Sequence, residues 1–214
     1  MKADVRRPID FCLYAITDRH ACPTGMLPDT VSQAGRYGVR AFQLREKDMT
    51  TRDLLHCATK LQDLCRKNNL LLFVNDRTDV ARLVGAAGVH LTSHRMPVKA
   101  ARLCLLPEQL VGVSTHSSEE VSRAEAEGAD FALFGPIFET PSKAEFGIPQ
   151  GLSSLKTVVG SVKIPVFAVG GITPKRAAHC LDQGARGVAV ISALMKSQQI
   201  AQTVQNFRNA MGKL

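Results

Sequence analysis

The sequence predicts an α/β fold, a single (β/α)8 TIM barrel, on three observations. Eight short runs rich in β-branched, aliphatic and aromatic residues alternate with eight helical patterns along the 214 residues. The runs are apolar almost throughout instead of alternating, as parallel strands are when helices cover them. Several of them end in polar or charged residues, which a barrel gathers on one rim. A doubly wound open sheet is the competing architecture. It calls for Gly-x-Gly-x-x-Gly after an early strand, and the chain has none. With no linker or change of composition along it, the chain is expected to form one barrel domain over 1–214.

The first strand is read at 11–17 and ends in Thr17-Asp18-Arg19. Pro28-Asp29 opens a helix through Val31, Ala34 and Tyr37, which Gly38 stops. A second strand from Val39 runs into Gln43-Leu44-Arg45-Glu46-Lys47-Asp48. If it stays extended, Gln43, Arg45 and Lys47 share a face. The stretch fits an interior row turning cationic at a site, and it equally fits a half-exposed edge strand with solvated charges. Thr50 to Asp53 begins a helix with Leu54, Ala58, Leu61 and Leu64 on its apolar side.

The third strand, 70–74, leads to Asn75-Asp76-Arg77, and its helix ends at Gly85. A short fourth strand, 88–91, precedes a helix at 97–105. The fifth, 110–114, ends in Ser114-Thr115-His116, with Ser117 to Glu120 capping the next helix. The sixth, 130–134, opens on the longest break, 135–151, before a helix at 152–162. That break carries Lys143, and a lid over the site is expected of it. The seventh, 165–169, delivers Gly170-Gly171, and Thr173-Pro174 starts its helix. The eighth, 187–191, ends at Ser192, and a helix at 198–211 closes the chain.

Composition narrows the function without naming it. The net charge of +8 raises nucleic acid, but Lys and Arg are interleaved with Asp and Glu, Trp is absent and Tyr numbers two. A basic stripe and stacking platforms are both missing, so no nucleic-acid partner is expected. A small anionic substrate explains the excess as well as a merely basic protein does. No apolar run reaches the ~18–20 residues of a membrane span, and the polar first residues do not read as a signal peptide. A cytoplasmic protein with no membrane partner is expected, with a homo-oligomer left open. The six cysteines are scattered without Cys-x-x-Cys and read as small core residues.

At the strand ends, two features carry chemistry. Gly170-Gly171 and Ser192 follow strands seven and eight, where backbone N–H groups commonly meet a phosphate; a plain tight turn would use the same glycines. Arg45, Lys47 and Lys143 with Asp76 suit a diphosphate neutralised by side chains and a divalent ion, or else a structural ion-pair network. His116 is placed for proton transfer or for a structural hydrogen bond. His90 and His94 do not make a metal site by spacing alone.

Taken in order, QLREKD (43–48), VNDR (74–77), GVHL (88–91), GVSTH (112–116), GPIF (134–138 with Phe134), Thr140 to Lys143, VGGI (169–172) and GVAVIS (187–192) resemble the family of thiamine phosphate synthase and its thiazole tautomerase relatives. The resemblance implies a barrel that couples hydroxymethylpyrimidine diphosphate to a thiazole phosphate and releases diphosphate. It implies that Gln43, Arg45, Lys47, Asn75, Ser114 and Lys143 hold the pyrimidine and its diphosphate, with Asp76 as a Mg2+ ligand. Gly170, Gly171, Ile191 and Ser192, with Thr140 beside them, are implied as the thiazole-phosphate cradle. One departure stands out: Arg95 occupies the position where synthases carry a second magnesium-binding Asp, and Arg cannot ligate a cation. The resemblance therefore keeps two other outcomes open. One is a metal-independent thiazole tautomerase using His116 as acid and base; the other is a non-catalytic barrel that binds phosphate ligands.

Overall fold

The computed structural model describes residues 7–22, 27–93, 95–140 and 148–212. Its parallel strands are β1 (Leu13–Ile16), β2 (Ala41–Leu44), β3 (Leu71–Asn75), β4 (Gly88–Leu91), β5 (Leu110–Thr115), β6 (Phe131–Phe134), β7 (Val166–Val169) and β8 (Gly187–Val190). Each pairs with the next, and β8 pairs with β1, so the sheet closes into an eight-stranded barrel as the sequence predicts.

Helices α1 (Leu27–Arg36), α2 (Thr51–Lys67), α3 (Thr78–Val84), α4 (Val98–Cys104), α5 (Ser118–Ala126), α6 (Gly151–Ser161) and α7 (Pro174–Asp182) each follow one strand. A short α8 (Ser192–Met195) and then α9 (Ile200–Met211) follow β8. The predicted start signals act as caps. Thr50 accepts from the Asp53 amide, Ser117 from that of Glu120 and Thr173 from that of Arg176, with Pro174 in the first turn of α7. Gly85, at φ 64°, ends α3 in the left-handed conformation that glycine adopts without cost. A 3-10 turn at Arg19–Ala21 and the short α8 are absent from the sequence reading, because a single turn has no periodicity to detect.

Alternation along the strands separates two cores. One face packs outward against the helices, with Phe42, Leu72, Val89, Val111 and Val188 among it. The other fills the barrel, where Phe11, Tyr14, Phe73, Phe131 and Phe167 make a floor of rings 5.1–6.4 Å apart. Gly112 belongs to this packing: a Cβ there would lie 2.3 Å from the Phe131 ring and 2.7 Å from His90 Nδ1. The floor seals the barrel and leaves chemistry to the layer above it. Among the described residues, no helix is long and apolar enough to cross a membrane.

Candidate active site

Above the aromatic floor the barrel interior divides by polarity. Register places Gln43 beside Phe73, Asn75 beside His90, and Ser114 beside Leu133. The inward positions near the C-terminal ends of β2 to β5 are thus Gln43, Asn75, His90 and Ser114. On the other half they are Leu133, Val169, Ile191 and Ile16, in apolar contact with the floor. Gln43 is 1% exposed, and its Nε2 stands 3.4 Å from the Tyr14 hydroxyl. Burial pushes the Tyr14 hydroxyl well above its ordinary pKa, with Gln43 opposing the shift, so it stays protonated. His90 is fully buried, and its Nε2 lies 3.0 Å from Ser114 Oγ.

β2 ends at Leu44, so the extended geometry expected to align Gln43, Arg45 and Lys47 does not reach Lys47, which lies exposed in a turn. Arg45 is the first residue past the strand and is half-buried. Burial lowers its pKa, while the carboxylates of Asp76, Asp18 and Glu46 act the other way and favour its charge. The Arg45 amide donates to Thr17 Oγ1 at 2.9 Å. Between the two cations, Glu46 is buried at 7% exposure, bonded to Thr17 and Arg19.

Asp76 adopts φ 56°, a left-handed conformation that Asp and Asn tolerate better than other non-glycine residues. Its Oδ1 accepts from the Thr92 amide at 2.7 Å, its Oδ2 from Asn75 Nδ2 at 3.0 Å, and the Thr92 hydroxyl lies within 3.1 Å of both. A carboxylate offers about four lone-pair sites. Two amide donors and one hydroxyl proton fill three of them, which leaves a site for a cation. The donor set therefore fits magnesium held by one carboxylate together with substrate oxygens, a common arrangement for that ion. Arg95 is exposed, and its amide donates to Thr92 O, so it shares the turn that steadies Asp76. Among the described residues no group of three or more His, Cys, Asp or Glu is disposed around a metal.

On the opposite side, Gly170 and Gly171 take φ 96° and 66°. A Cβ on Gly171 would fall 2.6 Å from Glu139 O, and one on Gly170 would fall 2.5 Å from Pro136 Cβ. The glycines thus let the segment after β6 lie directly on the end of β7. Arg176 donates to Gly171 O at 2.7 Å and stacks 4.7 Å above the Phe138 ring, fastening the same corner. Ile191 joins the interior apolar wall, and Ser192 opens α8 next to it. Thr140 is half-buried at the end of the segment that follows β6.

His116 sits just past β5; its amide donates to Glu120 Oε2, and its Nδ1 contacts Gly135 O. A carbonyl only accepts, so Nδ1 carries the proton and Nε2 of the neutral ring is an acceptor. Lys143, the 141–147 part of the expected lid, and His94 lie outside the described residues.

Tyr14, Thr17, Glu46, His90 and Thr92 join this site without having been singled out as its members in the sequence. For Glu46 a signal existed, since it falls between Arg45 and Lys47 on the alternate position. A larger cavity, about 670 Å³, opens at the other end of the barrel between Arg7, Arg40 and Arg66. A smaller one of about 420 Å³ borders Ser114, Thr92 and Arg95 and adjoins the polar row. Of the polar row, Ser114 lines the second.

A model of the family described as thiamine monophosphate synthase matches residues 13–194. A putative thiamine-phosphate synthase of Geobacter sulfurreducens is 44% identical over 187 residues, covering 87% of this chain and 88% of its own. The thiamine-phosphate synthase of Clostridium novyi is 37% identical over 192 residues, 90% and 94% of the two chains. The structure of thiamine phosphate pyrophosphorylase from Pyrococcus furiosus superposes with a TM-score of 0.85 at 37% identity, over 94% and 95% of the two chains.

Proposed function

The chain belongs to the thiamine monophosphate synthase family, and from that premise we propose that its barrel mouth joins hydroxymethylpyrimidine diphosphate to a thiazole phosphate, releasing diphosphate. The observation that carries the reading is the division of the interior, a polar row on β2 to β5 facing an apolar wall on β6 to β8. A nitrogen heterocycle that must ionise needs hydrogen-bonding groups around its ring. A second heterocycle waiting to capture the cation needs a dry wall and a phosphate anchor.

In this reading Gln43, Asn75 and Ser114 hold the pyrimidine ring. Arg45, Lys47 and Lys143 neutralise the diphosphate as its bond to the pyrimidine methylene breaks, because that is where negative charge develops. The thiazole nitrogen then supplies the electron pair that completes the new C–N bond. Gly170, Gly171 and Ser192 anchor the thiazole phosphate, with Thr140 beside them and Ile191 against the ring. Asp76 would hold magnesium, which would add positive charge to the leaving diphosphate. Arg95 stands on the same turn, and its guanidinium would add positive charge to that side. Relatives named as synthases across most of the chain favour this transferase over the isomerase and the non-catalytic barrel. The protein is proposed to work as one cytoplasmic barrel domain.

The test is diphosphate release with both substrates and magnesium present. Release that requires both heterocycles is expected; no turnover from folded protein would remove the reading.

A further inference from the structure

We infer that Thr17 and Glu46 form a positioning device for Arg45, a role that rests on the synthase reading above. Arg45 is the first residue beyond β2, where the strand no longer fixes the backbone. Its amide donates to Thr17 Oγ1 at 2.9 Å, and the Thr17 hydroxyl donates to Glu46 Oε1 at 2.6 Å. Glu46 also accepts from the Arg19 amide at 3.1 and 3.2 Å and from Arg19 Nη1 at 3.1 Å. Arg19 continues outward into a two-pronged contact with Asp48 at 2.6 and 2.7 Å. The loops after β1 and β2 are thereby clamped on both sides of Arg45.

Burial explains why the clamp is rigid. Thr17 is fully buried and the Glu46 side chain is 2% exposed, so water does not compete for these bonds. A carboxylate removed from water is tolerated only when charged and neutral donors satisfy it, and Glu46 receives three kinds. The result fixes the backbone that carries the Arg45 side chain, whose charge the carboxylates of Asp76, Asp18 and Glu46 favour. A cation that must meet charge as it develops gains from being held in place beforehand.

The experiment measures binding of inorganic diphosphate by calorimetry, in magnesium buffer, to the wild type and to Thr17→Val, Thr17→Ser and Glu46→Gln. Val keeps the shape of Thr but removes both bonds, whereas Ser retains both. Thr17→Val is expected to bind about 10-fold more weakly and Thr17→Ser to stay within about 2-fold of wild type. Glu46→Gln turns an amide towards Arg19 and should lose about as much as Thr17→Val, so it carries the test if Thr17→Val does not fold. A purely structural role would lower the melting temperature while leaving diphosphate affinity of the folded protein unchanged, and that result overturns the inference. A wild type that does not bind diphosphate overturns the synthase reading instead, and this inference falls with it.

Discussion

Nε2 of His90 lies 3.0 Å from Oγ of Ser114, joining neighbouring strands β4 and β5 inside the barrel. The imidazole is fully buried and packs 5.7 Å from the Tyr14 ring, so it cannot swing away. It thus holds the serine hydroxyl in one orientation above the floor. Ser114→Ala should leave the fold intact and lower kcat/KM for the pyrimidine diphosphate by about 10- to 100-fold, the range for one oriented hydrogen bond at a reacting ring. Steady-state kinetics with a circular-dichroism melt checks this, and unchanged kinetics would take Ser114 out of the proposed site.

At Gly171 the expected effect is on both stability and one substrate. Its φ of 66° is left-handed, and a Cβ would lie 2.6 Å from Glu139 O, a backbone atom that cannot move alone. Gly171→Ala should cost about 1–3 kcal/mol in denaturant unfolding. It should also raise KM for the thiazole phosphate more than KM for the pyrimidine diphosphate. Equal rises in both would indicate a general loosening.

The barrel was legible because eight apolar runs and their caps are local signals, and Thr50, Ser117 and Thr173 act as the sequence suggests. Lys47 shows the limit. Alternation extends the β2 row to residue 47, yet the strand ends at Leu44 because Thr17 and Glu46 capture the chain there. Thr17 comes from 28 residues before Arg45 and 29 before Glu46, a separation no periodicity reports. Gly170-Gly171 suits phosphate approach by sequence, whereas its close neighbours in the structure are backbone and side-chain atoms of the segment after β6. Their proposed phosphate contact shares the glycines with that packing.

The cysteines give a test of the outer core that does not depend on activity. Cys65 and Cys180 are fully buried, and burial pushes their thiols up to about 12 and about 11. Cys104 is exposed at the end of α4. Because the thiolate is the reactive form, a thiol reagent near neutral pH should label Cys104 first and leave Cys65 and Cys180 unmodified until the protein unfolds. Mass spectrometry of the labelled peptides reads the order, and early labelling of Cys65 would contradict the packing of α2 on the barrel.

Acid should weaken the outer end of the Glu46 clamp. Bonding to Arg19, and then to His20, holds the Asp48 carboxyl well below the usual carboxylate range. A depressed carboxylate contributes stability above its unfolded pKa of about 3.9 and loses it as pH falls towards the folded value. The melting-temperature gap between wild type and Asp48→Asn should therefore be largest near neutral pH and close below about pH 4. The pair is exposed, so the gap should be small and shrink further in salt. A gap independent of pH would show that the aspartate acts by something other than its charge.

Asp76→Asn separates charge from shape at the proposed magnesium ligand. Asn tolerates the φ of 56° as well as Asp does, so the backbone need not rearrange. Its carbonyl can still accept from Thr92, but its amide group meets Asn75 Nδ2 as donor against donor, and a loss of about 1–2 kcal/mol of stability follows. The larger effect falls on chemistry: with the carboxylate gone, Arg45 loses a partner that favours its charge, and the lone-pair site left for a cation becomes part of a neutral amide. Diphosphate release should fall by about 100-fold or more and respond only weakly to added magnesium. Asp76→Ala should be less stable than Asp76→Asn, since alanine at a left-handed position adds strain without any acceptor for Thr92. If Asp76→Asn instead keeps both its rate and its magnesium response, the ion is held elsewhere and Asp76 serves only to anchor the Thr92 turn that carries Arg95.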